Sequence, residues 1–195
     1  MSSLKIIVSG TPGVGKHTIS TELSKLLNGF SILDINKVIL SENLFISSSS
    51  EFETEIDVAK VYNSLKLLLS TKEYVNAIIV GHLASYVLDP LLIDFVVVLR
   101  RNPFELKRIY EKRSYSEKKI SDNLISEILG IISYDFLKKF NKKNIIELEI
   151  IENVLPSVYA QKIIDMYNNK NLREFGMVDW LSVAQTNPQM FKFLL

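Results

Sequence analysis

The stretch Gly10-Thr11-Pro12-Gly13-Val14-Gly15-Lys16 sits directly behind a run, Leu4 to Val8, that is apolar except for Lys5. Three glycines and one lysine between a strand-like run and a helix-like stripe (Ile19, Leu23, Leu26, Leu27) leave few folds open. A loop of this kind bends tightly and brings bare backbone N–H groups against phosphate oxygens, where a side chain would collide. Together with the first turn of the next helix it forms a preorganised anion cradle, and Lys16 adds a positive charge for the β- and γ-phosphates. The order strand, phosphate loop, helix therefore points to a nucleotide-binding α/β domain.

The rest of the chain keeps that rhythm. Apolar runs rich in Ile and Val recur at 4–8, 30–33, 77–80, 95–99 and 145–150. Most are continuous rather than alternating, as strands buried on both faces of a parallel sheet must be. Ile125, Ile128, Ile132, Phe136 and Phe140 fall three or four apart, which predicts one helix over roughly 121 to 140. Asn102, Pro103 and Glu105 read as a helix start: an N-cap, a proline in the first turn and a carboxylate near the positive end. Residues 36–76 interrupt the alternation with helical patterns at Lys37–Phe45 and Asp57–Leu69, joined through four serines at 47–50 that read as a turn or surface linker. Strand and helix otherwise alternate, so the fold class is α/β with a parallel sheet. With 195 residues the expectation is a single domain over 1–195.

Composition removes several classes of function. Basic and acidic side chains number 23 and 22, so no global field draws the chain to DNA or to an acidic membrane surface. No cysteine occurs, which excludes disulfides, thiolate zinc sites and a cysteine nucleophile. No apolar run approaches the length of a membrane span, and the expectation is a soluble, cytoplasmic protein.

The last position of the phosphate loop departs from the general pattern. A Ser or Thr ordinarily follows the lysine and binds Mg²⁺ through its hydroxyl; here His17 stands there and Thr18 comes next. Imidazole is a poor partner for a hard, oxygen-seeking ion. That points to His17 as a packing or adenine-side residue, with Thr18 on the α- or β-phosphate and Mg²⁺ held by water and nucleotide. Residues 111–123 carry a cationic cluster, Lys112, Arg113, Lys118 and Lys119, on a turn between two helices. Phosphoryl transfer needs charge neutralisation and exclusion of water, and a guanidinium on a closing loop supplies both.

GTPGVGKHT at 10–18 resembles the loop of adenylate kinases, and residues 95–129 resemble the fourth strand, short lid and following helix of the adenylate kinase 6 family, also called CINAP. The shared elements there are Val98-Leu99-Arg100, Arg113, Tyr115, Glu117-Lys118-Lys119 and Asp122-Asn123. Members of that family are small nuclear or archaeal adenylate kinase-like ATPases implicated in maturation of the small ribosomal subunit. The resemblance implies a P-loop NTPase of adenylate kinase type: a five-stranded parallel sheet of order 2-3-1-4-5, helices on both faces, a monophosphate flap at 34–72 and a lid at 112–122. By correspondence, Gly13, Gly15, Lys16, His17 and Thr18 bind the nucleotide phosphates, and Arg113 closes over them. The cofactors implied are ATP and Mg²⁺. The partners implied are AMP or another nucleoside monophosphate and, on a rival reading, a small-subunit ribosomal protein held and released by an ATP switch.

Three departures shape the expected chemistry. The aspartate that commonly ends the third strand is replaced by Gly81, followed by His82, which becomes the candidate for positioning water or substrate alongside Lys16 and Arg113. Asp89 is too far along to replace it, and Asp34 is a second possible acid. The flap at 34–72 contains no arginine, only Lys37, Lys60 and Lys66, so it lacks the bidentate fork for an acceptor phosphate. Finally, the tail at 171–195 carries Val178, Leu181, Met190, Phe191, Phe193 and Leu194, which need the domain itself or a partner to cover them.

Overall fold

The computed structural model describes residues 3–46 and 55–195; the serine run at 47–50 lies outside them. From the N-terminus, β1 (Leu4–Ser9) leads through the glycine loop into α1 (Lys16–Leu26). Next come β2 (Ser31–Asp34), α2 (Ile35–Ser41), the short antiparallel pair β3 (Phe45–Ile46) and β4 (Glu55–Ile56), and α3 (Val58–Leu69). The chain then runs through β5 (Asn76–Val80), α4 (Ala84–Val87), β6 (Phe95–Arg101), α5 (Pro103–Lys112), α6 (Glu117–Ile128) and α7 (Ile131–Lys139). It ends with β7 (Ile145–Ile150), α8 (Pro156–Asn168), α9 (Trp180–Thr186) and α10 (Pro188–Phe191).

Five strands form one parallel sheet in the order β2-β5-β1-β6-β7. Counted among themselves these are strands 2-3-1-4-5, as expected for the adenylate kinase type of P-loop fold. Each strand sends alternate side chains to opposite faces, and both faces are apolar because helices cover both. Ile6, Val8, Ile78, Val97 and Ile146 meet Ile19 and Leu23 of α1 and Ile163 of α8. On the other face Ile7, Ile79, Val96 and Val98 meet Ile39, Val61, Leu65 and Phe136. The tail closes a smaller third core, in which Trp180, Ala184 and Met190 are buried against Ile128, with Phe104 and Phe193 packed on them. The chain's own domain therefore covers much of the tail's apolar surface. Among the described residues no helix is long and apolar enough to cross a membrane.

Two element expectations are corrected. The stripe over 121–140 is not one helix: α6 stops at Ile128, Gly130 takes a left-handed φ of 63°, and α7 sets off in a new direction. Leu124, Ile128 and Phe136 consequently enter three different cores. The pattern at Lys37–Phe45 also ends early. Asn43 is left-handed, its N–H bonds to the Leu40 carbonyl and the Leu44 N–H to the Ile39 carbonyl, a Schellman cap that turns Phe45 into β3. The start of α5 is as read, with the Asn102 side chain accepting from the Phe104 N–H at 2.9 Å.

Candidate active site

The glycine loop is held from three sides. Gly10 has φ 138°, and a Cβ there would sit 2.3 Å from the Leu99 carbonyl oxygen of β6, so the residue is glycine because two strands close on it rather than because a phosphate does. Tyr110 of α5 donates its hydroxyl to the Pro12 carbonyl at 2.6 Å. The Thr11 hydroxyl donates to Glu127 of α6. Beyond the loop, α1 begins at Lys16 without any side-chain cap, which leaves its first backbone N–H groups turned to the loop.

Lys16 is buried, and its ammonium donates to the Gly10 and Thr11 carbonyls at 2.8 and 3.0 Å. Burial brings its pKa down to about 8, with Glu127 and Asp34 opposing the fall and Arg113 adding to it. The side chain is therefore a cation at neutral pH, held beside the loop.

A cavity of about 430 Å³ opens on this loop. Gly13, Gly15, Lys16, His17 and Thr18 line its floor, and Arg113, Tyr115 and Lys119 reach it from the turn between α5 and α6. Arg113 is the C-cap of α5, and the chain reverses at Ser114 with φ 54°. The turn is stiffened by aromatic contacts: Tyr115 stacks on Tyr110 at 5.5 Å, and the Lys119 ammonium lies 4.2 Å from the Tyr115 ring centre. Across the cavity, His82 follows β5, and its pKa is lowered to about 4, first by burial and then by Lys16 and Lys119. At neutral pH it is an uncharged imidazole.

All seven sequence-predicted site residues, Gly13, Gly15, Lys16, His17, Thr18, Arg113 and His82, line this one cavity. Of the two expected roles of His17, packing in a core is not met: its ring is 59% exposed, and Nε2 lies 2.7 Å from Oδ2 of Asp34. A second, smaller cavity of about 150 Å³ adjoins the first at Gly15 and Thr18 and is bounded by Val14, Ile150, Val154 and Tyr159. Asp89 stands apart, accepting from the Tyr62 hydroxyl and the Leu91 N–H.

Sequence reasoning missed Glu127. It is buried, accepts from Arg100 Nε at 2.8 Å and the Arg101 N–H at 3.1 Å, and ties α6 to Thr11 of the loop. Arg100 in turn reaches Glu147 at 2.7 Å. The signal was present as an acid placed between Leu124 and Ile128 on the apolar side of α6. Asn36, at the start of α2, also lines the cavity unforeseen.

Two donors that ordinarily serve Mg²⁺ are not in their usual places. Imidazole replaces the loop hydroxyl, Gly81 replaces the strand-end carboxylate, and a Cβ at Gly81 would meet Ile35 at 2.9 Å, so no carboxylate fits there unless Ile35 moves.

The AAA_18 family model, described as an AAA domain, matches residues 6–130. Over 187 residues the chain is 32% identical to a protein of Saccharolobus islandicus named "Putative adenylate kinase", covering 95% of this chain and 91% of that one. A protein of the same name from Methanococcus maripaludis is 29% identical over 180 residues, covering 90% and 94%. Among solved structures, shikimate kinase from Acinetobacter baumannii in complex with shikimate superposes with a TM-score of 0.55 at 21% identity, over 85% of this chain and 93% of that one, a likeness of fold. The family model covers well over half of the chain and archaeal relatives match along nearly all of it, so the protein belongs to the AAA domain family and, within the P-loop folds, to an adenylate kinase-like family.

Proposed function

We propose that the protein is a nucleoside monophosphate kinase that transfers the γ-phosphate of ATP to AMP and hydrolyses ATP slowly when no acceptor is bound. One observation carries the reading: a single cavity gathers the loop glycines, Lys16, Arg113 and a neutral His82. On this reading the insert at 34–72 is the monophosphate flap and the turn at 112–122 is the lid. Lys16 exchanges its two carbonyl partners for the β- and γ-phosphates, while the loop amides and the open start of α1 take phosphate oxygens. Thr18 donates its hydroxyl to the α- or β-phosphate, and the base occupies the smaller cavity beside it. Arg113 closes on the γ-phosphate, neutralising charge as the phosphoryl group leaves the ADP oxygen and joins the acceptor oxygen. His82, uncharged, positions the acceptor phosphate or, in its absence, the attacking water.

A second reading has its own observation. Besides lacking arginine, the flap has Lys60 paired with Asp57 at 3.1 Å and Lys66 against the Tyr62 ring at 5.8 Å. A thin grip on the acceptor favours an ATP switch with little kinase activity, in which a small-subunit ribosomal protein is the partner that the family resemblance implies. The two readings separate in one assay: ADP formation from ATP with Mg²⁺ or Mn²⁺, alone and with AMP, GMP, CMP or UMP. The kinase reading expects a large increase with AMP, lost in Lys16→Met and Arg113→Ala. Lys16→Met removes a buried cation, so its thermal midpoint holds or rises, which separates lost chemistry from lost fold. A slow rate indifferent to every monophosphate overturns the kinase reading and leaves the switch.

A further inference from the structure

His17 stands one residue past Lys16, where a loop hydroxyl ordinarily reaches the metal of a bound nucleotide, yet its Nε2 lies 2.7 Å from Oδ2 of Asp34. Asp34 is held in place. As N-cap of α2, its Oδ1 accepts from the backbone N–H groups of Asn36 and Lys37 at 2.9 and 3.3 Å, which leaves Oδ2 for His17. The carboxylate is buried, whereas the imidazole lines the phosphate cavity beside Gly15 and Thr18. Two donors 2.7 Å apart lie near the edge, roughly 3 Å, of an octahedral shell with bonds of about 2.1 Å, so one ion can touch both. Imidazole nitrogen binds first-row transition ions far better than Mg²⁺, and a carboxylate with phosphate oxygens completes a mixed shell that Mn²⁺ and Co²⁺ accept.

We propose that His17 and Asp34, together with the phosphates of a bound nucleotide, form a divalent site that selects a transition ion such as Mn²⁺ over Mg²⁺. The proposal rests on the nucleotide reading above, because two side chains do not hold such an ion alone. Among the described residues no group of three or more His, Cys, Asp or Glu is placed to do so. Lys16, Arg113 and Lys119 also make the bare cavity cationic, so the ion enters with the nucleotide. On binding, the imidazole carries its proton on Nδ1 and presents the Nε2 lone pair, and Asp34 changes from hydrogen-bond partner to ligand.

The test uses the full chain with Mn²⁺ and a non-hydrolysable ATP analogue. Electron spin-echo spectroscopy is expected to show ¹⁴N modulation of the bound Mn²⁺ that disappears in His17→Thr and persists in His82→Gln. By calorimetry, the ratio of Mn²⁺ to Mg²⁺ complex affinity falls about tenfold or more in His17→Thr and in Asp34→Asn, the latter keeping the helix cap. Bound Mn²⁺ without nitrogen coupling, coupling that survives His17→Thr, or an unchanged affinity ratio overturns the metal assignment alone. Failure of the analogue to bind with Mn²⁺, with Mg²⁺ and without metal overturns the nucleotide reading as well.

Discussion

His82 shows how one position converts the field of a site into a property of the whole chain. Its folded pKa is about 4, set by burial and by the cations Lys16 and Lys119, against an ordinary 6.5. Between those two values the unfolded chain binds a proton that the folded chain refuses. Stability from this residue is therefore complete above pH 6.5 and falls as pH drops toward 4, by up to about 3 kcal/mol. The measurement is the unfolding free energy of wild type minus that of His82→Gln, followed from pH 8 to pH 4. The difference is expected to be flat above neutrality and to shrink in acid; a difference constant across the range contradicts the burial of a neutral imidazole. Lys16 lives in the same field with the opposite outcome, since a pKa of about 8 leaves it charged at neutral pH, the charge that the proposed function uses for phosphate.

At the scale of elements, the decisive contact joins α6 to the glycine loop. Glu127 receives Arg100, the Arg101 N–H and the Thr11 hydroxyl, so the helix that follows the Arg113 turn is anchored at the loop. Glu127→Gln keeps the shape and removes the charge, leaving buried Arg100 with Glu147 alone among these two carboxylates. Breaking one side of a buried ionic group costs about 3 kcal/mol, to be read by urea unfolding at neutral pH; a loss under about 1 kcal/mol would mean the group is effectively solvated. Gly130 makes the geometry possible: by ending α6 in a left-handed turn it frees α7 to cover the other face of the sheet.

At the scale of the molecule, the tail is part of the fold. Trp180 fills the third core against Ile128 and Phe104, next to the helices that carry Arg113 and Glu127. Trp180→Ala is expected to cost about 3 kcal/mol or more by circular dichroism-monitored unfolding. Trp180→Phe costs much less, because the indole N–H has no hydrogen-bond partner among the described residues to lose. Equal losses in the two variants would place Trp180 outside a packed core. Much of this architecture was legible in sequence, because its signals are local. A glycine loop, continuous apolar strands and Asn102-Pro103 each act through neighbours a few residues away, and together they determined an α/β nucleotide-binding sheet with Lys16 at its mouth. Helix ends at Gly130 and Asn43 were blurred, since apolar spacing continues across a turn when both halves are buried in different cores. What only the tertiary structure decided depends on residues far apart in the chain: Glu127 beneath Thr11, the tail on α6, and Asp34 beside His17. No spacing rule encodes those meetings, because they exist only once the sheet has brought the ends of β1, β2 and β6 to one edge.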